Sequence, residues 1–253
     1  MTSAESCRLY SGEMTVRCYE QDLNGRLRPA ELFNWFQEAA SCQCRINRVG
    51  LEDIIPKGYT WVIHRYKVSV AKMPVYGQRC KVSTWAQPKR DLISVRDFLL
   101  ESQEGEQLAG ATSEWALIDL KTGRPTRLSS VLSEFPYLEK RALDENLRPI
   151  QWPEAASPLK STETTVSAWA LDKNLHVNNS VYIFWAFDNL YPEAIQGLAL
   201  REIEINYKKQ AFYGQKVVCR SCLGSEGVFY QEILLAETGE ILALLKSTWV
   251  KID

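Results

Sequence analysis

A polar run that the chain carries almost twice constrains its fold more than any other feature. Asp22 and Asn24 recur as Asp172 and Asn174, 150 residues further on, and Trp35 recurs at the same offset as Trp185. Tyr76-Gly77-Gln78 returns as Tyr213-Gly214-Gln215 at an offset of 137. Gly105-Glu106, Ser113, Trp115 and Asp119 return as Gly239-Glu240, Ser247, Trp249 and Asp253 at an offset of 134. The order is kept while the offset shrinks, so insertions separate matching elements. A period this long excludes a solenoid or propeller and indicates two tandem copies of one domain. The first copy is the longer: 54 residues separate Asp22 from Tyr76, against 41 between Asp172 and Tyr213.

The copies differ where it matters chemically. His176 in the second run, Asp172-Lys173-Asn174-Leu175-His176-Val177-Asn178-Asn179, faces Arg26 in the first. Only one copy of this run carries an imidazole, which directs the search for chemistry to the second.

Each copy predicts the same local elements. Arg28 to Ser41 reads as a helix, with Pro29 in its first turn and Leu32, Phe33, Trp35, Phe36, Ala39 and Ala40 covering most of its circumference. In the second copy a helix starts at Asn178 or Asn179 and continues through Val181, Tyr182, Ile183, Phe184, Trp185, Ala186 and Phe187. Helices apolar nearly all round must be wrapped. Alternating runs supply the wrapper: Ile203, Ile205 and Tyr207 against Glu202, Glu204 and Asn206, and Tyr66, Val68 and Val70 against Arg65, Lys67 and Ser69. Further β-rich runs and the hairpin compositions of Ser102 to Gly105 and Glu237-Thr238-Gly239 complete an antiparallel sheet. A curled sheet around one helix is the packing solution for that order.

The fold class expected is therefore α+β, a tandem pair with domains at 8–128 and 163–253. Residues 129–162 join them. Pro136, Pro149, Pro153 and Pro158 punctuate that stretch, but Leu132, Phe135, Tyr137, Leu138 and Trp152 make it an ordered crossing rather than a loose linker.

Composition narrows the partners. With 45% hydrophobic and 24% charged residues and a net charge of −1, nothing points to nucleic acid or to an anionic membrane. The opening residues show no basic stretch followed by an apolar run, and no segment approaches bilayer length, so the expectation is a cytoplasmic protein. Seven scattered cysteines and two histidines fit no zinc pattern, including Cys42-x-Cys44 and Cys219-x-x-Cys222; buried reduced thiols, no metal and no cofactor are expected.

With these elements in place, the chain resembles the acyl-acyl-carrier-protein thioesterases, bacterial relatives of the plant enzymes that terminate fatty acid synthesis. The resemblance rests on Asp172-x-Asn174-x-His176-Val177-Asn178-Asn179-x-x-Tyr182. The Arg65 to Gln78 segment, Lys89-Arg90 with Arg96-Asp97-Phe98, and Ile205-x-Tyr207-Lys208-Lys209 support it, and it covers about Thr15 to Asp253. It implies the double hotdog fold and hydrolysis of a fatty acyl thioester carried on acyl carrier protein. It also implies a catalytic second copy and a first copy that shapes the acyl pocket. Plant members carry a transit peptide, and the opening residues lead to the expectation of none here.

Thioester hydrolysis needs a base or carboxylate nucleophile, donors for the developing oxyanion, and room for the acyl chain. Asp172, Asn174 and His176 lie at i, i+2 and i+4, so an extended segment would turn all three to one side. They also lead into a helix N-terminus, where negative charge is favoured. By resemblance Asp172 is the base or nucleophile, Asn174 holds it or the thioester carbonyl, and His176 polarises or shuttles a proton. The alternative for Asp172 and Asn174 alone is a hydrogen-bonded turn, as Asp22 and Asn24 suggest. His64 reads as structural.

One departure stands out. Family members carry a glutamate in a Tyr-Lys/Arg-Lys/Arg-Glu-Cys context, whereas this chain reads Tyr207-Lys208-Lys209-Gln210-Ala211. Glutamine can orient water but cannot act as a general base. In the first copy Trp35, Trp61 and Met73 are candidates for the acyl pocket, with plain core packing as their alternative. An acidic carrier would dock on basic residues, for which Lys208-Lys209, Lys89-Arg90, and Lys121 with Arg124 and Arg127 are candidates. Sheet edges offer a route to a homodimer. Competing readings are an acyl-CoA thioesterase, a non-catalytic acyl-binding or regulatory protein that has lost the glutamate, and a hotdog hydratase.

Overall fold

The computed structural model describes residues 8–88, 91–132, 135–153, 157–190 and 194–252. The basic pair Lys89-Arg90 and the last residue of the repeat, Asp253, lie outside them. The chain forms two compact units, Met1–Leu147 and Arg148–Asp253.

Among the described residues the first unit has five antiparallel strands: β1 (Tyr10–Thr15), β2 (Tyr59–Val70), β3 (Arg79–Ala86), β4 (Ser94–Ser102) and β5 (Gln107–Asp119). Their order across the sheet is β1-β3-β4-β5-β2. Helix α1 (Pro29–Ile46) buries Leu32, Phe33, Trp35, Phe36, Ala39, Ala40 and Gln43. Phe33 meets Tyr66 at 4.8 Å and Phe36 meets Phe98 at 5.0 Å between ring centroids, so the helix core is aromatic. The helix runs five residues past the expected Ser41, because Gln43 is buried and its amide donates to the Arg8 carbonyl at 2.9 Å. Two short helices, α2 (Leu51–Ile54) and α3 (Leu128–Val131), close one end over Ala86, Leu117 and Phe135.

The second unit repeats this plan with β6 (Ser157–Thr165), β7 (Leu198–Tyr207), β8 (Lys216–Ser225), β9 (Val228–Leu235) and β10 (Ile241–Lys251), in the order β6-β8-β9-β10-β7. Helix α4 (Asn179–Leu190) buries Tyr182, Ile183, Ala186, Phe187 and Leu190. It is not enclosed all round. It lies closest to β6, β8 and β9, with the Tyr182 and Phe187 rings reaching Tyr207 and Trp249, while Phe184 is 48% exposed. The sheet of one unit covers one side of a helix, so the apolar pattern overstates the wrapping. Gly105 and Gly239 take φ of +85° and +70° in the two expected hairpins, a region that glycine enters without a Cβ clash.

The stretch expected to cross the surface is ordered where it is described. Leu132 and Phe135 are buried, Leu138 N–H donates to the Ala86 carbonyl (3.0 Å), and the Trp85 indole donates to the Lys140 carbonyl (2.7 Å). Residues 157–162 of it already belong to β6. This crossing corrects the reading of Lys67 as a solvent-side residue. Lys67 is buried and its ammonium pairs with Glu145 at 2.7 Å. Asp97 lies under the same segment, accepting from Thr112, Gln87 and the Ala142 N–H, with burial pushing its carboxyl above the usual range.

Cys80, Cys219 and Cys222 are buried as expected, but Cys18 is exposed and Cys42 and Cys44 are half-buried. Among the described residues no helix is long and apolar enough to cross a membrane.

Candidate active site

The Asp172 loop is a closed turn, not an extended segment. Asp172 N–H donates to the His176 carbonyl (2.8 Å), Leu175 N–H donates to the Asp172 carbonyl (3.0 Å), and Leu171 pairs with Val177 across it. Asp172 Oδ1 accepts the Asn174 N–H at 2.7 Å. A carboxylate that bonds its own backbone two residues on is a stable way to start such a turn. The i, i+2, i+4 spacing therefore does not place the three side chains as on a strand. The turn does collect Asp172, Asn174 and His176 within five residues, immediately before α4. Among the described residues none of the three side chains hydrogen-bonds another, and only Oδ1 of Asp172 is engaged.

The first unit builds the same turn. Asp22 N–H donates to the Arg26 carbonyl (2.7 Å), Gly25 N–H to the Asp22 carbonyl (3.1 Å), and Asn24 N–H to Asp22 Oδ1 (2.8 Å). The Asp-x-Asn pair by itself is thus a turn device in both units. What distinguishes the second is His176, Leu175 in a left-handed conformation (φ +62°), and a set of hydroxyls behind the turn.

The segment after β7 lies against this turn. Val177 N–H donates to the Ala211 carbonyl (3.0 Å), the His176 and Phe212 backbones pair, and the His176 ring meets the Phe212 ring edge-on at 5.1 Å. Gln210 sits next to this pairing, beyond the end of β7, and is exposed. Behind it the buried Tyr182 hydroxyl accepts the Ala211 N–H at 3.1 Å. Tyr207 donates its hydroxyl to the Asn179 carbonyl (3.1 Å). Burial pushes the Tyr182 phenol up to about 12; the Ala211 bond acts the other way and the Asp172 charge adds to the rise. Tyr182 is therefore a neutral hydroxyl at physiological pH. In the sequence Tyr182, Tyr207 and Ala211 stand in motifs without a role of their own, because an aromatic residue at an apolar helix or strand position reads as core.

The other candidates lie in the first unit or on the surface. Trp35 is buried with its indole N–H on Glu20 Oε1 (3.3 Å). Trp61 is half-buried against the cluster under α2 and α3 and donates to the Val49 carbonyl (2.9 Å). Met73 is half-buried at the turn after β2. Of the basic residues, Lys209 pairs with Glu240 and Arg127 with Asp91 (3.4 Å), while Lys208, Lys121 and Arg124 are exposed.

Residues 8–135 match the acyl-ACP thioesterase N-terminal domain, and residues 154–251 match the acyl-ACP thioesterase C-terminal domain. The chain belongs to the acyl-ACP thioesterase family. It is 24% identical over 252 residues to the chloroplastic acyl-[acyl-carrier-protein] hydrolase FATB3 of Cuphea viscosissima, covering 93% of this chain and 61% of that protein. It is 26% identical over 223 residues to a chloroplastic palmitoyl-acyl carrier protein thioesterase of Gossypium hirsutum, covering 80% of this chain and 52% of that protein. The chain thus spans little more than half the length of these relatives. An acyl-ACP thioesterase from Bacteroides thetaiotaomicron superposes with a TM-score of 0.86 at 23% identity, covering 99% of this chain and all of that one. A 12:0-ACP thioesterase from Umbellularia californica superposes with a TM-score of 0.87 at 19% identity, covering 96% and 98%. The family's fold is the double hotdog expected from the repeat.

Proposed function

We propose that this protein hydrolyses the thioester of a fatty acyl chain on acyl carrier protein and releases the free fatty acid. The observation that carries the reading is the second unit's turn, which gathers Asp172, Asn174 and His176 at the start of α4, in a chain matching both domains of the family. The family relatives named above are described as acting on acyl carrier protein thioesters, which supports the same carrier here.

In this reading Asp172 keeps Oδ1 on the Asn174 N–H and presents Oδ2 to the reaction, either attacking the thioester carbonyl or drawing a proton from water. The N-terminal turn of α4 and the Asn174 amide supply positive dipoles for the oxyanion. His176, held edge-on by Phe212, delivers a proton to the departing thiolate. Gln210 orients water without accepting its proton. The first unit shapes the acyl pocket, with Trp35, Trp61 and Met73 as the side chains to vary. Exposed Lys208, two residues from Gln210, is the first basic residue to test for carrier docking.

The test is free-thiol release from acyl-acyl-carrier-protein and acyl-CoA thioesters, with Asp172→Ala in parallel. Release from the carrier protein thioester that disappears in the variant supports the proposal. Preferential release from CoA would reassign the carrier. A second reading, an acyl-binding protein without turnover, draws on Gln210 standing where the family has a carboxylate. Tight binding of an acyl thioester with no release would favour it.

A further inference from the structure

The duplication offers a comparison inside one chain. Both units hold the segment after the strand that follows the helix, after β2 and after β7, against the turn by the same backbone bond: Leu27 N–H to the Pro74 carbonyl (2.8 Å) in the first, Val177 N–H to the Ala211 carbonyl (3.0 Å) in the second. On the other side of that residue the units part. In the second, the Ala211 N–H donates to the Tyr182 hydroxyl at 3.1 Å. At the repeat offsets of 150 and 137 the first unit has Leu32 and Pro74, one without a hydroxyl and the other without an N–H. Donor and acceptor are absent together. Replacing both partners of a buried hydrogen bond by apolar groups is close to neutral for stability, and the first unit folds to the same turn without the bond. Fold alone therefore gives the second unit no need of it.

What the bond does fix is local. The Tyr182 hydroxyl lies 3.1 Å from the Ala211 nitrogen and 3.5 Å from the Lys209 carbonyl, so it bridges the peptide groups on either side of Gln210. Ala211 is then tied to α4 through its N–H and to the His176–Val177 turn through its carbonyl. Tyr207 backs this up. Its ring packs edge-on against Tyr182 (5.7 Å) and its hydroxyl holds the first residue of α4, whereas the equivalent residue of the first unit is Val70.

We propose that Tyr182 is a positioning residue, which pins the peptide bearing Gln210 to α4 and so sets it against the turn bearing Asp172 and His176. This rests on the thioesterase reading of that turn. The test uses two variants of the full chain. Tyr182→Phe removes the hydroxyl and keeps the ring; Tyr182→Leu with Ala211→Pro installs the first unit's pair. In Tyr182→Phe the Ala211 amide should exchange with solvent about tenfold faster or more. Its kcat should fall at least about tenfold with KM within about twofold. The double variant should keep Tm within about 3 °C of wild type and still lose kcat. Unchanged protection of Ala211 in Tyr182→Phe, or a kcat close to wild type in the double variant, overturns the proposal. If the unaltered protein releases no thiol, the functional reading falls, and the Ala211 exchange still decides whether Tyr182 holds this peptide.

Discussion

Leu175 adopts φ +62° at the position where the first unit places Gly25 at +73°. A side chain in that region meets the following carbonyl and costs about 1–2 kcal/mol, of which glycine's greater freedom when unfolded gives back about 0.4–1. Leu175→Gly should therefore stabilise the protein by about 0.5–1 kcal/mol and raise Tm by about 2 °C. Thermal unfolding checks this, and a lower Tm would show that the exposed leucine makes a contact worth more than the strain. Strained backbone concentrates at functional turns, and of the two matching turns only the one with His176 places a non-glycine residue there.

Asp172 and Asp22 make the same turn bond, so the two aspartates separate structure from chemistry. Asp172→Asn keeps an oxygen acceptor for the Asn174 N–H and should leave Tm near wild type. It removes the carboxylate, and thiol release should fall by about 10²–10⁴. Asp22→Ala should cost about 1 kcal/mol of stability and leave turnover near wild type. Equal activity losses in the two would place the role of Asp172 in the fold.

Gln210 is exposed, so a charge there carries little desolvation cost. Gln210→Glu should be as stable as wild type and raise kcat on the order of tenfold at neutral pH by supplying the missing base. Steady-state thiol release decides it. An unchanged kcat would assign Gln210 to orienting water only.

Cys219 is a buried thiol pushed up to about 12, first by burial and then by the Asp188 and Glu232 charges. Its raised value means the folded state holds its proton more tightly than the unfolded chain. The stabilisation is complete below the unfolded value of 9.0 and is lost as pH rises toward 12. Tm should fall across that window, less steeply in Cys219→Ala. In native protein at pH 8, a thiol reagent should label exposed Cys18 and spare Cys219 and Cys80, whose thiol burial raises to about 11. Peptide mass analysis reads the difference.

The duplication, the two helices, the antiparallel strands and the nearness of the three candidate side chains are all legible in the sequence, because they rest on local quantities. Residue spacing reveals a repeat, apolar period reveals a helix or strand, and Asp172, Asn174 and His176 are near neighbours in the chain. The shape of their turn was less legible. Spacing alone cannot tell a strand from a closed turn, and that choice is made by backbone bonds such as Asp172 N–H to the His176 carbonyl.

Tertiary structure decided what depends on partners distant in the chain. Lys67 alternates like a surface residue, yet Glu145, 78 positions later, lies over it and buries it. Tyr182 fits an apolar helix pattern, and only the approach of Ala211, 29 residues on, makes its hydroxyl a structural acceptor. A hydrogen bond needs both partners within about 3 Å, a condition that composition and periodicity do not encode. The sequence by itself therefore determined the architecture and pointed to Asp172, Asn174 and His176 as candidates, and the folded chain decided which polar groups surround them.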